Sequence, residues 1–213
     1  MCGRFKIYRS EKAAIAKAYG IREEDVPDYV DELDCRPGSF QGVVEVEAGE
    51  RKITEMKWGF KLPDRLLFNT KSETVLESNF WKPRIENRCI VPASGFFEWQ
   101  KINGKTGPKF EITVPNTTFF GFAGIWGNWK NPKSKEWEKT FSIFTTIPNS
   151  KMAPFHDRQP VILSPNEYEE WLTPSERAPV HLLRILPEER MNIAPVGISL
   201  VPDAPSIGGL FDY

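Results

Sequence analysis

The sequence predicts a single α+β domain with a β core and short flanking helices. Apolar, strand-like runs separated by Pro, Gly and Asn turns fill much of the second half of the 213-residue chain. Helical patterns lie outside those runs. A chain of this length fits one domain, and it contains no internal repeat, low-complexity segment or long linker that would divide it.

The first half of the chain carries signals for a helix and a hairpin. SEKAAIAKAYG predicts a helix with Ser10 as its N-cap and Gly20 as its stop. VVEVEAGERKITEMKWGF alternates with period two on either side of an AGE turn, which predicts a β-hairpin ending at Trp58. ETVLESNFW predicts a further short helix that closes before Pro83.

The second half predicts a set of strands followed by helices. The strand-like runs are CIVPASGFFEW, KFEITV, TTFFGFAGIWGNW, FSIFTT and PVIL. After them, Ser164 and Glu167 have the spacing of a capping box, and Pro165 occupies the first helical position, so a helix is expected to begin before EYEEWL. VHLLRIL predicts another short helix.

Composition excludes several classes of protein. With 40% hydrophobic and 27% charged residues, and no apolar stretch long enough to span a bilayer, the chain predicts a globular protein without a membrane partner. A net charge of −1 means that DNA binding would need a local basic patch. Cys2, Cys35 and Cys89 show neither CxxC spacing nor an even count, so we expect reduced thiols in the cytoplasm, with no metal site and no cofactor.

Cys2 directly follows the initiating methionine. If Met1 is removed, this residue carries both a free α-amine and a thiol, a pair that can condense with an aldehyde into a five-membered thiazolidine ring. With an amine pKa of about 7.7–8.0 and a thiol pKa near about 8.5, both groups would be usable close to neutral pH. The alternative is that Cys2 is simply a small buried residue.

Glu98 and His156 are candidate proton-transfer groups. Glu98 lies between aromatic residues in SGFFEWQ, where burial would raise its pKa and suit it to acid/base work. The alternative is that strand alternation points the Glu98 side chain outward into solvent. His156, in MAPFHDRQPVIL, stands before a hydrophobic strand and can shuttle protons, unless it is an ordinary surface-loop histidine.

FNTKSET gathers amide, hydroxyl and amine groups in one loop. Asn69, Thr70, Lys71, Ser72 and Thr74 suit recognition of phosphate and sugar oxygens. They equally suit an ordinary turn in which Ser72 is the N-cap. The sequence leaves both interpretations open.

Aromatic and basic residues are interleaved near these polar segments, the combination that single-stranded nucleic acid requires. Most of the aromatic residues must nevertheless belong to the core. The set comprises Trp58, Phe60, Trp81, Trp99 and Phe155 with Lys57, Lys61, Arg65, Lys71, Arg84, Arg88 and Arg158.

Five separated motifs together resemble one family. MCGRF at the N-terminus, WGF at 58, FNTKSET at 68, RCIVPASGFFEW at 88 and MAPFHDRQPVIL at 152 resemble the SRAP family, the SOS response-associated peptidase or abasic site processing proteins. The match runs from residue 2 to about residue 163, with C-terminal helices and a strand expected over 164–213. The resemblance implies one domain, 1–213, with a curved, barrel-like, mostly antiparallel β core flanked by short helices.

The resemblance also implies a substrate and residue roles. The expected partner is single-stranded DNA containing abasic sites, bound by a monomer that is nucleoid-associated if the cell is bacterial. Cys2 would capture the abasic aldehyde, and Glu98 would act as acid and base. His156 would protonate the sugar oxygen, and Asn69 would orient the N-terminal residue and the sugar. The residues that would contact DNA are Arg4, Lys57, Trp58, Phe60, Lys71, Ser72, Trp99 and Arg158.

Two other functions remain open from sequence. The family name suggests a cysteine peptidase whose first substrate is its own Met1, and a nucleophile, a His and a Glu are present for it. A non-covalent reader of nucleic acid or of a modified base would bind in the positively charged DNA groove that the resemblance implies, without requiring Cys2. The leading hypothesis is the covalent abasic-site sensor.

Overall fold

A closed β-barrel forms the centre of the structure, a computed structural model that describes residues 2–8, 11–28, 30–102 and 104–197. Ser10, the predicted N-cap, and residues 198–213 lie outside this part of the chain. The strands are β1 (Phe5–Ile7), β2 (Glu32–Cys35), β3 (Phe40–Glu47), β4 (Glu50–Trp58), β5 (Phe60–Lys61), β6 (Leu66–Leu67), β7 (Asn69–Lys71), β8 (Arg88–Ala93), β9 (Gly95–Ile102), β10 (Lys105–Thr113), β11 (Phe120–Lys130), β12 (Trp137–Thr146), β13 (Gln159–Pro160), β14 (Ile162–Leu163) and β15 (Asn192–Pro195).

Five strands close the barrel in the order β12-β4-β3-β8-β11, and β11 returns to β12. The β3–β4 hairpin predicted from alternation is confirmed, with Val44 opposite Ile53. The junction between β12 and β4 is parallel, with Phe141 beside Trp58, whereas the other four junctions are antiparallel. Closure satisfies the backbone groups that an open sheet would leave at its edges.

A second, five-stranded antiparallel sheet carries the N-terminus. Its order is β15-β10-β9-β1-β2, so the first strand of the chain lies near its middle. Phe5 is opposite Phe96, and both rings pack 5.9 Å from the ring of Phe122 in barrel strand β11. Because these contacts are buried, the sheet and the barrel share one hydrophobic core.

Two α-helices flank the strands in the described part of the chain, α1 (Lys12–Tyr19) and α2 (Tyr168–Leu172). The first ends at Gly20 as predicted, in a left-handed conformation with φ of 65°. The capping box at Ser164 is also confirmed, although its first turn, Pro165–Glu167, is a 3-10 turn. Neither helix is long and apolar enough to cross a membrane.

Two predicted helices are wrong. ETVLESNFW forms only turns between the 3-10 segments Ser72–Thr74 and Lys82–Arg84, and VHLLRIL forms a single 3-10 turn at Val180–Leu182. Segments shorter than about 12 residues are marginal as helices without a cap. Here the Ser78 hydroxyl accepts hydrogen bonds from the amides of residues 80 and 81 and starts a new turn inside the predicted helix.

The predicted fold class is therefore confirmed: one α+β domain around a barrel-like, mostly antiparallel β core.

Arg88, which the sequence analysis grouped with the basic residues near the polar segments, is buried in this core instead. The guanidinium of Arg88 is fully buried and donates to the carbonyls of Trp171 at 2.6 Å, Thr173 at 2.7 Å and Ile85 at 3.1 Å. These hydrogen bonds hold α2 against the barrel.

We expect Arg88→Lys to lower the free energy of unfolding by about 3 kcal/mol, because an ammonium cannot reach all three carbonyls and leaves buried acceptors unsatisfied. Urea denaturation measures this loss. Arg65→Lys, at an exposed position, is the matched control. Equal stability of the two variants would contradict the structural role of Arg88.

Candidate functional site

Cys2 lies inside the protein, immediately before β1. It has no exposed surface, and the backbone amide of Arg4 donates a hydrogen bond to its sulfur. Burial raises the pKa of the Cys2 thiol well above its usual range, and the negative charge of Glu98 raises it further. The expectation of a thiol with an ordinary pKa is therefore wrong, because it took no account of burial.

Glu98 faces inward from β9. Its side chain is 6% exposed and shares a face of the strand with Phe96, so the outward alternative is excluded. Register places it opposite Phe110 of β10. The neighbouring amide of Phe97 donates to the carbonyl of Arg4 at 2.9 Å, which brings the N-terminal residues alongside this carboxylate.

Asn69 begins β7, which runs parallel to β12 with Asn69 beside Ile143. Its Nδ2 donates to the Phe68 carbonyl at 3.0 Å, and Trp58 Nε1 donates to the same oxygen at 2.9 Å. The Asn69 Oδ1 is buried and has no hydrogen-bond partner among the described residues. A buried acceptor of this kind usually has a partner, so it is a candidate ligand group.

Trp58 and Phe60 are core residues, so their expected place along a DNA path is wrong. Both are fully buried. The Trp58 ring packs 5.1 Å from Phe5 and stacks on Phe141 at 6.2 Å, which links the strand after Cys2 to the barrel. Gly59 between them has φ of 109°, and a Cβ there would lie 2.8 Å from the side chain of Leu66.

His156 lies in a turn, where its amide donates to the Met152 carbonyl at 3.1 Å. Its Nδ1 is 2.6 Å from an Asp157 oxygen and also accepts from the Arg158 amide at 3.0 Å. These contacts require opposite protonation states of Nδ1. The contact with the Arg158 amide requires an unprotonated Nδ1, and in that state the ring proton lies on Nε2.

Two of the predicted phosphate-binding cations are already paired with carboxylates. Arg158 makes a two-pronged bridge to Glu73 at 2.9 and 2.8 Å, and Lys57 lies 3.0 Å from Glu138. Both cations are largely buried. This arrangement contradicts the prediction that they present open charges to DNA.

Other predicted contact residues reach the surface. Lys71 is exposed and has no carboxylate partner in the described part of the chain. Ser72 is the first residue of the 3-10 turn and makes no side-chain cap, so its interpretation as an N-cap is wrong. Arg4 lies 2.6 Å from Asp34 and 5.6 Å above the half-buried ring of Trp99.

The structure buries Cys2 and Glu98 close enough for the carboxylate charge to raise the pKa of the thiol. Asn69 is linked to them through Trp58 and Phe5, as described above. The residue before His156, Phe155, packs 4.7 Å from the ring of Phe110, the cross-strand neighbour of Glu98. Among the described residues, no group of three or more His, Cys, Asp or Glu side chains could hold a metal ion.

Sequence reasoning missed the carboxylates that neutralise the basic residues: Glu73, Asp34 and Glu138. Glu73 had a detectable signal, because it stands inside FNTKSET among hydroxyl and amine groups. Asp34 and Glu138 had none, since their partners, Arg4 and Lys57, are 30 and 81 residues away in sequence.

Comparison with known proteins identifies the family of this chain. The model of the family described as SOS response associated peptidase (SRAP) matches residues 1–201. The chain belongs to the SRAP family.

Several relatives and solved structures are similar over most of their length. The abasic site processing protein YoqW of Bacillus subtilis is 31% identical over 196 residues, covering 87% of this chain and 86% of YoqW. YoaM of the same organism, also an abasic site processing protein, is 28% identical over 87% of this chain and 85% of its own. A crystal structure of a Bordetella bronchiseptica protein has the same fold, with a TM-score of 0.76, 21% identity and coverage of 92% and 100%.

The Glu73–Arg158 bridge predicts a pH-dependent contribution to stability. The hydrogen bonds and charge of Arg158, with the Ile147 amide, lower the Glu73 pKa from 4.5 to about 2 despite partial burial. A depressed carboxyl pKa stabilises the fold above pH 4.5, and the contribution is lost as the pH falls through 2. We expect Glu73→Gln to cost about 1 kcal/mol at pH 7.

The difference between wild type and Glu73→Gln should shrink as the pH is lowered towards 2, as followed by urea denaturation at each pH. Glu77→Gln, exposed on the same segment, is the control. A difference that is constant with pH would show that the bridge does not carry this stability.

The position of Glu98 predicts the reactivity of Cys2. Removing its charge in Glu98→Gln lowers the thiol pKa, so alkylation of Cys2 should begin at a lower pH than in wild type. Iodoacetamide labelling, quantified by mass spectrometry of the N-terminal peptide, measures this shift. Glu55→Gln on the barrel is the control, and identical pH profiles for Glu98→Gln and wild type would refute the coupling.

Proposed function

We propose that this protein captures abasic sites in single-stranded DNA covalently through Cys2, after removal of Met1, and thereby shields the lesion. The observation that carries the proposal is the burial of Cys2 close to a buried carboxylate, which puts a thiol, and after removal of Met1 an amine, near an acid/base group. The names of the relatives YoqW and YoaM support the same substrate.

The capture is a condensation of one aldehyde with one aminothiol. The α-amine of Cys2 attacks the C1 aldehyde of the ring-opened sugar and the resulting carbinolamine loses water to give a protonated imine. The sulfur then adds to the same carbon and closes a thiazolidine. One water leaves. The proton that the carbinolamine hydroxyl takes up as it leaves is balanced by the proton that the thiol releases when the ring closes.

Glu98 is the base for the second step. Because the Cys2 thiol has a raised pKa, it stays protonated until the imine forms, and the buried carboxylate is placed to accept its proton. The amine therefore acts first and the sulfur second. Both nucleophiles belong to one residue, so ring closure is intramolecular and gains a large effective concentration.

Asn69 and His156 hold the reactants in this scheme. The buried Oδ1 of Asn69 is an acceptor for the α-amine of Cys2 or for a sugar hydroxyl. With its proton on Nε2, His156 donates to the sugar oxygen that leaves as water. Trp58 is a positioning residue, since it shares the Phe68 carbonyl with Asn69.

In this proposal, the residues that contact DNA are those whose side chains remain accessible. Lys71 and Ser72 present an amine and a hydroxyl on the surface loop, and Arg4 and Trp99 form a cation and ring pair beside the N-terminus. Arg158 holds this loop in place through Glu73, and Lys57 joins two barrel strands through Glu138.

Removal of Met1 by the protein itself is a second activity that the same geometry favours. The buried pair Cys2 and Glu98 supplies the two groups that such a cut requires, a nucleophile and a base. Expression of wild type and Cys2→Ala without methionine aminopeptidase, followed by intact-mass measurement, tests this. Retention of Met1 in wild type would exclude self-processing.

We expect a slow-migrating, heat-stable band on a denaturing gel when wild type meets an oligonucleotide with one abasic site, and no band with intact DNA. Cys2→Ala should abolish the band, because neither ring closure nor imine trapping is available. Cys2→Ser should fail to give a heat-stable product for the same reason. Glu98→Gln should slow formation by about 10²-fold or more.

Intact-mass measurement must first establish that Met1 is absent from each sample. A band of equal yield with Cys2→Ala would contradict capture through this residue. The absence of any band with wild type lacking Met1 would contradict covalent capture altogether.

A further inference from the structure

Lys109 occupies an unusual place on the outer face of the five-stranded sheet. Register puts it opposite Trp99, one residue from Glu98 along β9. Its Nζ lies 3.8 Å from the ring centroid of Phe97 and 5.6 Å from that of Trp99. Two aromatic faces therefore hold the ammonium at a fixed position without neutralising it.

The cations around Lys109 are engaged with carboxylates. Glu111, the nearest acidic residue along β10, is 2.5 Å from Lys6. Among the described residues, Lys109 itself has no carboxylate within ion-pair distance. Two cations near it are paired, Arg4 with Asp34 and Lys6 with Glu111.

Lys109 also extends a surface that begins at the candidate site. Arg4 lies 5.6 Å from the Trp99 ring, and Lys109 lies 5.6 Å from the same ring. Arg4 follows Cys2 by two residues, so cation, ring and cation form a continuous strip that starts beside the N-terminus. Alternating cations and aromatic rings are what the backbone and bases of single-stranded DNA bind.

We propose that Lys109 is a phosphate-binding residue for the strand that leaves the abasic site over Trp99. This inference rests on the proposed function for the identity of the ligand, a DNA backbone phosphate. Trp99 stacks on a base next to the lesion and Lys109 binds the phosphate further along, while Arg4, paired with Asp34, packs against the same ring. The ammonium of Lys109, which no carboxylate among the described residues neutralises, supplies the attraction that the paired Arg4 and Lys6 lack.

The test is equilibrium binding of a fluorescent single-stranded oligonucleotide with a tetrahydrofuran abasic analogue, which has no aldehyde and cannot be crosslinked. Lys109→Met removes the charge but keeps an apolar stem on Phe97. Since single-strand affinity varies with salt to the power of about −0.7 per contact, loss of one contact at 0.1 M salt should weaken binding about fivefold. The salt slope should fall by about 0.7.

Two further variants keep the result interpretable. Lys109→Arg should restore affinity and slope, and Lys105→Ala, exposed on the same strand, should match wild type. Unchanged affinity and slope in Lys109→Met, with unchanged thermal stability, would overturn this inference. The covalent proposal is judged separately, on the gel with the aldehyde-bearing strand, so either can fail while the other stands.

Discussion

The pairing of β1 with β9 is the constraint on which the candidate site depends. It places the N-terminal residues in the middle of a sheet, where the Phe97 amide reaches the Arg4 carbonyl at 2.9 Å. Cys2 is then held beside Glu98, and Phe5 is pressed against Trp58 at 5.1 Å. Because one short strand positions both Cys2 and the Phe5–Trp58 contact, register errors there would displace both together.

Charge compensation is the second organising feature. The chain has 28 Lys and Arg against 29 Asp and Glu, and several basic residues around the site carry their own carboxylate. Arg158 with Glu73 and Lys57 with Glu138 stabilise a loop and a barrel strand rather than offering charge to a ligand. A net charge of −1 gives no overall attraction for nucleic acid, so the proposed DNA contacts depend on cations such as Lys71 and Lys109, which have no carboxylate partner among the described residues.

Local signals in the sequence predicted the elements that depend on interactions between residues close together in the chain. The β3–β4 hairpin, the stop at Gly20 and the capping box at Ser164 each rest on neighbouring residues, and each is present. The failed predictions depend on distant contacts. Burial of Trp58 and the neutralisation of Arg158 arise from partners far along the chain, which no local pattern can reveal.

The candidate site shows the same division between residue type and environment. Motifs identified Cys2 and Glu98, but they could not report that burial raises the Cys2 thiol pKa, with Glu98 adding to it. That environment changes the chemistry: a thiol that is neutral at rest is protected from adventitious alkylation and oxidation, since the thiolate is the reactive form. In the proposed capture, the thiol becomes a nucleophile only when a cationic imine forms next to it and lowers the cost of ionisation. Under that proposal, burial confines the reactivity of Cys2 to the moment when an aldehyde is already bound by its amine.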